Sequence, residues 1–351
     1  MVRIHAGQPL LLSRFSGSPL NQRVTRLGNN QNTMSATRRD FVRTLFAATA
    51  QVALSGPLLT RGLFAAETSS LGLNFIVVGD WGRKGQKDQL DVARQMGLAA
   101  SQIMAPFIVS VGDNFYDFGV SSADDPQFKA SFEDVYTASS LQVPWRLILG
   151  NHDYRGNCKA QIDYCQKSPR WSMPSRYYQR TEQVPGGSDV DMIYIDTNPF
   201  VAKYAHDKLM GKEILSQDCG KQLAWIEQQL AASKAPWKIV FGHHPIYSGG
   251  EHGDTPELVD QLLPLLSKYG VQAYICGHDH DLQHLQAGGV NMFCVGAGST
   301  VRPVGATPQS KYSMSHPGFM AASLKPEAMD VRLIAGTGEV LYSFTVPQKI
   351  S

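Results

Sequence analysis

Five short clusters in this chain combine glycine with residues that bind metal ions or move protons. They read Gly79-Asp80-Trp81-Gly82, Gly112-Asp113-Asn114-Phe115-Tyr116, Gly150-Asn151-His152-Asp153, Gly242-His243-His244-Pro245 and Gly277-His278-Asp279-His280. Asp80, Asp113, Tyr116, Asn151, His243, His278 and His280 offer carboxylate, phenol, amide and imidazole donors without a thiolate. Seven such groups exceed what one tetrahedral zinc takes, and two ions are the simplest reading. Two ions ~3.5–4 Å apart need a bridge, and a carboxylate with two oxygens can supply it. Asp113 is the candidate. Such a pair acidifies water and neutralises charge in a displacement. A single Gly-Asp or Gly-His-x-His is an ordinary turn; five in this order, each at a strand end, point to a shared site. His244 would point away from its neighbour His243 in a continuing strand and is read as structural, and His206 and His284 fall outside the pattern as surface histidines.

The elements that must position these clusters are legible as periodicities. Short β-branched apolar runs at 74–78, 107–111, 145–149, 192–195, 238–241 and 272–275 read as strands. Amphipathic stretches at 88–103, 125–138, 218–233 and 255–268 read as helices, the last with Thr255 as N-cap before Pro256. Strand and helix alternate, as in an α/β protein with a largely parallel sheet, whose strand ends line one crevice. Glycine before each cluster permits a tight turn and a close backbone approach. Residues 319–324, 329–334 and 339–346 look like consecutive strands that close a second, antiparallel sheet.

Taken together, GDWG, GDNFY, GNHD, GHH and GHDH resemble the metallophosphoesterase signature. Tyr116 three residues after Asp113 is similar to the purple acid phosphatases. GDNFYDFGV, FEDVY at Phe132–Tyr136, GNHDY and GEHG at Gly250–Gly253 resemble their small tartrate-resistant type over roughly residues 73–346. The resemblance implies a four-layer αββα sandwich with two mixed sheets and the metal site at the carboxyl ends of the strands. It implies that Asp80, Tyr116 and His280 bind Fe(III), that Asn151, His243 and His278 bind a divalent Fe, Zn or Mn, and that Asp113 bridges. Phenolate and carboxylate suit the trivalent ion, and neutral imidazole and amide the divalent one. His152 and His252 are then the outer histidines that hold substrate and protonate the leaving group. The implied reaction is acid hydrolysis of phosphate monoesters by in-line attack of metal-bound hydroxide, with a purple colour from Tyr116. A phosphodiesterase of the same superfamily, or an exported di-iron redox protein, is the alternative.

Composition narrows the partners. Hydrophobic residues make up 43% of the 351 positions and charged ones 18%, which excludes a disordered or low-complexity chain. Arg38-Arg39-Asp40-Phe41, followed by an apolar run at 45–54 and small residues at Ala65-Ala66, has the pattern of a twin-arginine export signal, with Met34 just before it. Residues 1–66 are therefore expected to be removed, and 67–351 to form one domain, periplasmic or secreted, without a stable membrane anchor. The formal charge of +2 belongs to that leader: residues 1–66 hold eight of the 32 basic and one of the 30 acidic residues, leaving 24 against 29, or −5. A nucleic-acid partner loses its compositional support. Small phosphorylated substrates and the twin-arginine export machinery are the expected partners. Arg155, Lys159 and Lys167 are candidates to attract phosphate, with solvated surface charge as the plainer reading. Of five cysteines, Cys158 and Cys165 are close enough to bridge, while Cys276 and Cys294 sit in apolar runs as buried thiols.

Overall fold

The computed structural model describes residues 72–348; the export pattern and the expected processing point at 66 lie outside the described residues. Fourteen strands and five α-helices follow in order among them. They are β1 (Leu73–Val78), α1 (Gln89–Ile103), β2 (Phe107–Ser110), β3 (Trp145–Leu147), α2 (Cys158–Asp163), β4 (Trp171–Ser172), β5 (Tyr178–Val184) and β6 (Ser188–Tyr194). After these come α3 (Gly211–Leu215), α4 (Cys219–Ala232), β7 (Trp237–Phe241), α5 (Pro256–Lys268), β8 (Ala273–Cys276), β9 (Leu282–Ala287), β10 (Val290–Val295), β11 (Ser310–Met314), β12 (Gly318–Leu324), β13 (Ala328–Ala335) and β14 (Val340–Pro347).

Two mixed sheets of seven strands result, in the orders β14-β13-β12-β1-β2-β3-β4 and β11-β9-β10-β8-β7-β6-β5. They face each other through apolar side chains, with the Phe75 and Phe241 rings 6.4 Å apart edge to face. Alternation along β7 shows how each strand serves two layers. Ile239 and Phe241 join the core between the sheets, and Val240 joins a second core with Leu258, Leu262 and Leu266 of α5 and Ile226 and Leu230 of α4. Helices thus cover the outer faces, giving the αββα sandwich. The Asp218 carboxylate accepts the Lys221 amide at 2.8 Å and starts α4, whereas Thr255 gives α5 no side-chain cap.

Two expectations are corrected. The last three strands extend the first sheet: β12 pairs antiparallel with β1, Ile76 opposite Ala321. β1 is buried along its whole length, and an uncovered edge there would leave backbone groups unpaired. The stretch 125–138 is not an α-helix but a wide turn at Phe128–Glu133, with the Asp134 amide on the Lys129 carbonyl, and a short 3₁₀ turn at Ser139–Leu141. Its helix-like spacing comes from Phe128, Phe132 and Tyr136 entering an aromatic cluster with Trp81, Phe115, Trp145 and Trp171. All five cysteines are free: Cys158 and Cys165 rest on the carbonyls of Asp153 and Met173, and Cys276 and Cys294 are buried. No helix among the described residues is long and apolar enough to cross a membrane.

Candidate metal centre

All five clusters lie just past the ends of parallel strands, β1, β2 and β3 in the first sheet and β7 and β8 in the second. The chain leaves those strands by an abrupt turn. Asp80, Asp113 and His278 have φ of 60°, 51° and 71°, a left-handed backbone that few non-glycine residues adopt and that clusters at functional sites. The preceding glycines act mainly by lacking a side chain. A Cβ on Gly150 would lie 2.2 Å from the Asp113 amide nitrogen, and one on Gly277 would lie 2.3 Å from Asp80 Oδ2. Trp81 and Phe115, inside the motifs, anchor their loops in the aromatic cluster.

The seven donors converge. Tyr116 Oη lies 2.9 Å from Asp80 Oδ1, 2.8 Å from Asp113 Oδ2 and 3.0 Å from His280 Nε2. On the other side, His243 Nε2 lies 3.1 Å from Asn151 Oδ1 and 3.5 Å from Asp113 Oδ1. His278 packs its ring 5.1 Å from that of His243 and donates its amide to Asp80 Oδ2 at 3.0 Å. Asp113 touches both groups.

Whether these residues fit metal ions can be decided by counting protons. A carbonyl accepts only, so the 2.8 Å contact of His243 Nδ1 with the Val111 carbonyl puts the ring proton there. With that imidazole neutral, as a metal ligand must be, His243 Nε2, Asn151 Oδ1 and Asp113 Oδ1 face one another as lone pairs with no proton between them; without a cation only a protonated His243 relieves them. Around Tyr116 a single hydroxyl proton meets two carboxylates. Buried lone pairs in surplus over protons are what a cation resolves. Burial and the Asp113 charge hold the Asp80 carboxyl well above its usual range, after allowing for the opposing His243. For Asp113 burial also pushes upward, but His243 and His152 outweigh it and bring it to about 2. Burial and both carboxylates raise the Tyr116 phenol. Cationic charge would reverse that arrangement.

His244 has no lone pair to offer, because Thr197 Oγ1 and Tyr204 Oη occupy its two nitrogens at 2.8 and 2.9 Å. Its structural reading stands, although it lies close to His243 and His278. The expectation for His284 is wrong: it is buried on β9, 4.5 Å from the Phe293 ring, with Nδ1 3.0 Å from the Tyr342 hydroxyl. His206 is exposed.

His152 and His252 flank the donors. His152 Nδ1 lies 2.8 Å from the Asp117 carbonyl and 3.2 Å from Arg155 Nη1, and Nε2 comes 4.0 Å from Asp113 Oδ2. His252 stacks 4.3 Å from the His278 ring, and its Nε2 accepts from Arg302 Nη1 at 2.8 Å. Both histidines line a cavity of about 420 Å³ with Asp113, Asn151, His278 and His280.

A calcineurin-like phosphoesterase model matches residues 73–282. Purple acid phosphatase 17 of Arabidopsis thaliana is 36% identical over 88% of this chain and 97% of its own. Tartrate-resistant acid phosphatase type 5 of Mus musculus is 35% identical over 84% and 94%. The chain belongs to the purple acid phosphatases. Among solved structures, GAP50, the anchor in the inner membrane complex of Plasmodium, superposes with a TM-score of 0.72 at 28% identity, over 80% of this chain and 90% of that one. The purple acid phosphatase PPD1 from yellow lupin seeds shares the fold at 16% identity and TM-score 0.58, over 78% and 53%.

As a purple acid phosphatase, the protein is a hydrolase of phosphate monoesters with a dinuclear metal centre that contains iron. Two residues of its motifs do work that the sequence left unassigned. Asp153 accepts the amides of Gly150, Asn114 and Phe115 at 2.8, 3.1 and 3.2 Å, clamping two donor loops together, and burial with the Asp113 charge pushes its carboxyl up to about 8. Asp279 takes the His252 amide at 3.0 Å and the Ser248 hydroxyl, which sets the His252 loop. Both carboxylates stood inside motifs already noticed; only their backbone partners, distant in sequence, reveal the role.

Proposed function

We propose that Asp80, Tyr116 and His280 hold the ferric ion of this acid phosphatase, that Asn151, His243 and His278 hold a divalent iron, zinc or manganese, and that Asp113 is shared. The observation that carries this reading is the surplus of lone pairs at His243, Asn151 and Asp113. When bound, the ions supply an acidified water and positive charge against the phosphoryl oxygens. The chain's own residues do the rest. His152 turns Nε2 toward the cavity, where the nitrogen carrying a proton donates it to a phosphoryl oxygen and orients it. His252, held at Nε2 by Arg302 when neutral, gives its proton to the departing alkoxide from the protonated ring. Burial lowers the His252 pKa, and Arg302 lowers it further against Asp279, so the protonated ring is a stronger acid than a free histidine.

Protein loaded with iron should absorb in the visible, and Tyr116→Phe should lose that band while keeping the divalent ion. A band that survives in the variant removes Tyr116 from the ferric site. Residues 1–66 serve in this reading as an export segment, delivering residues 67–351 to the periplasm or the medium. Replacing Arg38 and Arg39 by lysine should leave activity in the cytoplasmic fraction, and unchanged export would overturn the twin-arginine route.

A further inference from the structure

The mouth of the catalytic cavity carries three cations, two of which touch the histidines at its floor: Arg302 on His252 and Arg155 on His152. Arg155, Lys203 and Arg302 line it from three separate segments. Arg155 ends the turn that follows Asn151, Lys203 lies in the 3₁₀ segment Ala202–His206, and Arg302 is in the loop after β10. Arg302 is partly neutralised, with Nη1 3.2 Å from Glu251 Oε2. Arg155 and Lys203 have no carboxylate at ion-pair distance among the described residues; Arg155 contacts the Asp117 carbonyl and His152, and Lys203 lies 5.6 Å above the Tyr204 ring. The one further acid of the rim, Asp207, turns its carboxylate onto the amides of Leu209 and Met210 at 2.8 and 3.1 Å. Lys159 and Lys167, by contrast, are paired with Asp163 and Asp124 and do not line the cavity.

Three converging cations concentrate positive potential over a cavity in a domain whose remaining charge is negative. A simple monoester presents one phosphate, and the metal ligands with His152 and His252 already account for it. The rim has capacity for another anion. We propose that Arg155, Lys203 and Arg302 form a second phosphate subsite, so that the preferred substrates carry a second phosphate group beside the one cleaved. Arginine forks and a lysine ammonium are the donors that phosphate oxygens select. In the reaction the P–O bond to the leaving group breaks, water oxygen bonds to that phosphorus, and the leaving oxygen, of an alcohol or in pyrophosphate of the second phosphate, gains the proton that the water gives up. The second phosphate is held and undergoes no attack at its own phosphorus.

The inference rests on the phosphatase centre above, and the test separates the two. kcat and KM are measured on the iron-loaded enzyme with fructose 1,6-bisphosphate, fructose 6-phosphate and pyrophosphate. The expected result is a kcat/KM at least about tenfold higher for a doubly phosphorylated substrate than for fructose 6-phosphate, carried by KM. That preference should collapse in Lys203→Gln and Arg155→Gln and return in Lys203→Arg. Arg302→Gln should lose the preference and also slow turnover, since Arg302 touches His252; Arg155→Gln should slow turnover as well, since Arg155 touches His152, so Lys203→Gln is the variant that reads the preference alone. Phosphate release from none of the three would sink the phosphatase centre. Release without preference, or a preference unchanged in all the glutamine variants, leaves that centre standing and removes the subsite.

Discussion

The two sheets contribute different elements to one cavity. Asp80, Asp113, Tyr116 and Asn151 follow β1, β2 and β3 of the first sheet and offer only oxygen; His243, His278 and His280 follow β7 and β8 of the second and offer only nitrogen. Neither sheet alone holds a dinuclear site. Close contacts run both within a half, as between Tyr116 and Asp80, and across the gap, as between His243 and Asn151 or Tyr116 and His280. The lesson is that the site belongs to the docking of the sheets. Each ion, in the assignment given above, takes ligands from both halves and so ties one sheet to the other.

The largest effect is expected where the halves meet. Asp113→Asn should lose both ions and slow turnover at least about 10³-fold, whereas His252→Ala should keep both ions and lose about 10²-fold. Metal analysis beside kcat separates these, and an Asp113→Asn enzyme with two ions and near-normal turnover would remove the bridge. Next comes His280→Ala, which leaves every oxygen donor intact. If ions tie both sheets, iron is lost and the divalent ion stays; if each sheet held its own ion, iron would remain. The smallest effect concerns an imidazole of the nitrogen half that lies outside the cavity. Burial brings His284 down to about 4, with the Asn291 hydrogen bond opposing. Its folded pKa lies below the unfolded ~6.5, so the unfolded chain binds the extra proton and stability falls as pH drops from about 6.5 to 4. His284→Gln should flatten that slope by a few degrees of Tm between pH 7 and 4.5, and an unchanged slope would place the acid sensitivity elsewhere.

Much of the donor set was legible because strand ends are local: an apolar run, a glycine and a polar residue fit within ten positions. Long-range pairing was not legible. The sequence at 319–346 shows strands but not their sheet, because the partner of Ala321, Ile76, lies far back in the chain. The β9–β10 hairpin was missed although Gly288-Gly289 is a recognised two-residue turn between apolar runs. His284 was misread for the same reason, since its burial follows from that hairpin. The wide turn at Phe128–Glu133 shows that aromatic spacing reports burial before it reports helix. No motif marks Lys203 or Arg302; only the cavity groups them with Arg155, and only ion pairing sets Lys159 and Lys167 aside.

The pairing of β1 with β12 sets a timetable for biosynthesis. Leu73 lies opposite Leu324, so the strand that presents Asp80 emerges early and waits for a neighbour made about 250 residues later. Contacts of such sequence separation carry a large loop-closure cost and fold slowly. The oxygen-bearing sheet is therefore completed only after β12 to β14 are synthesised. A chain cut short before Gly318 would carry every metal-binding motif but leave one edge of β1 unpaired.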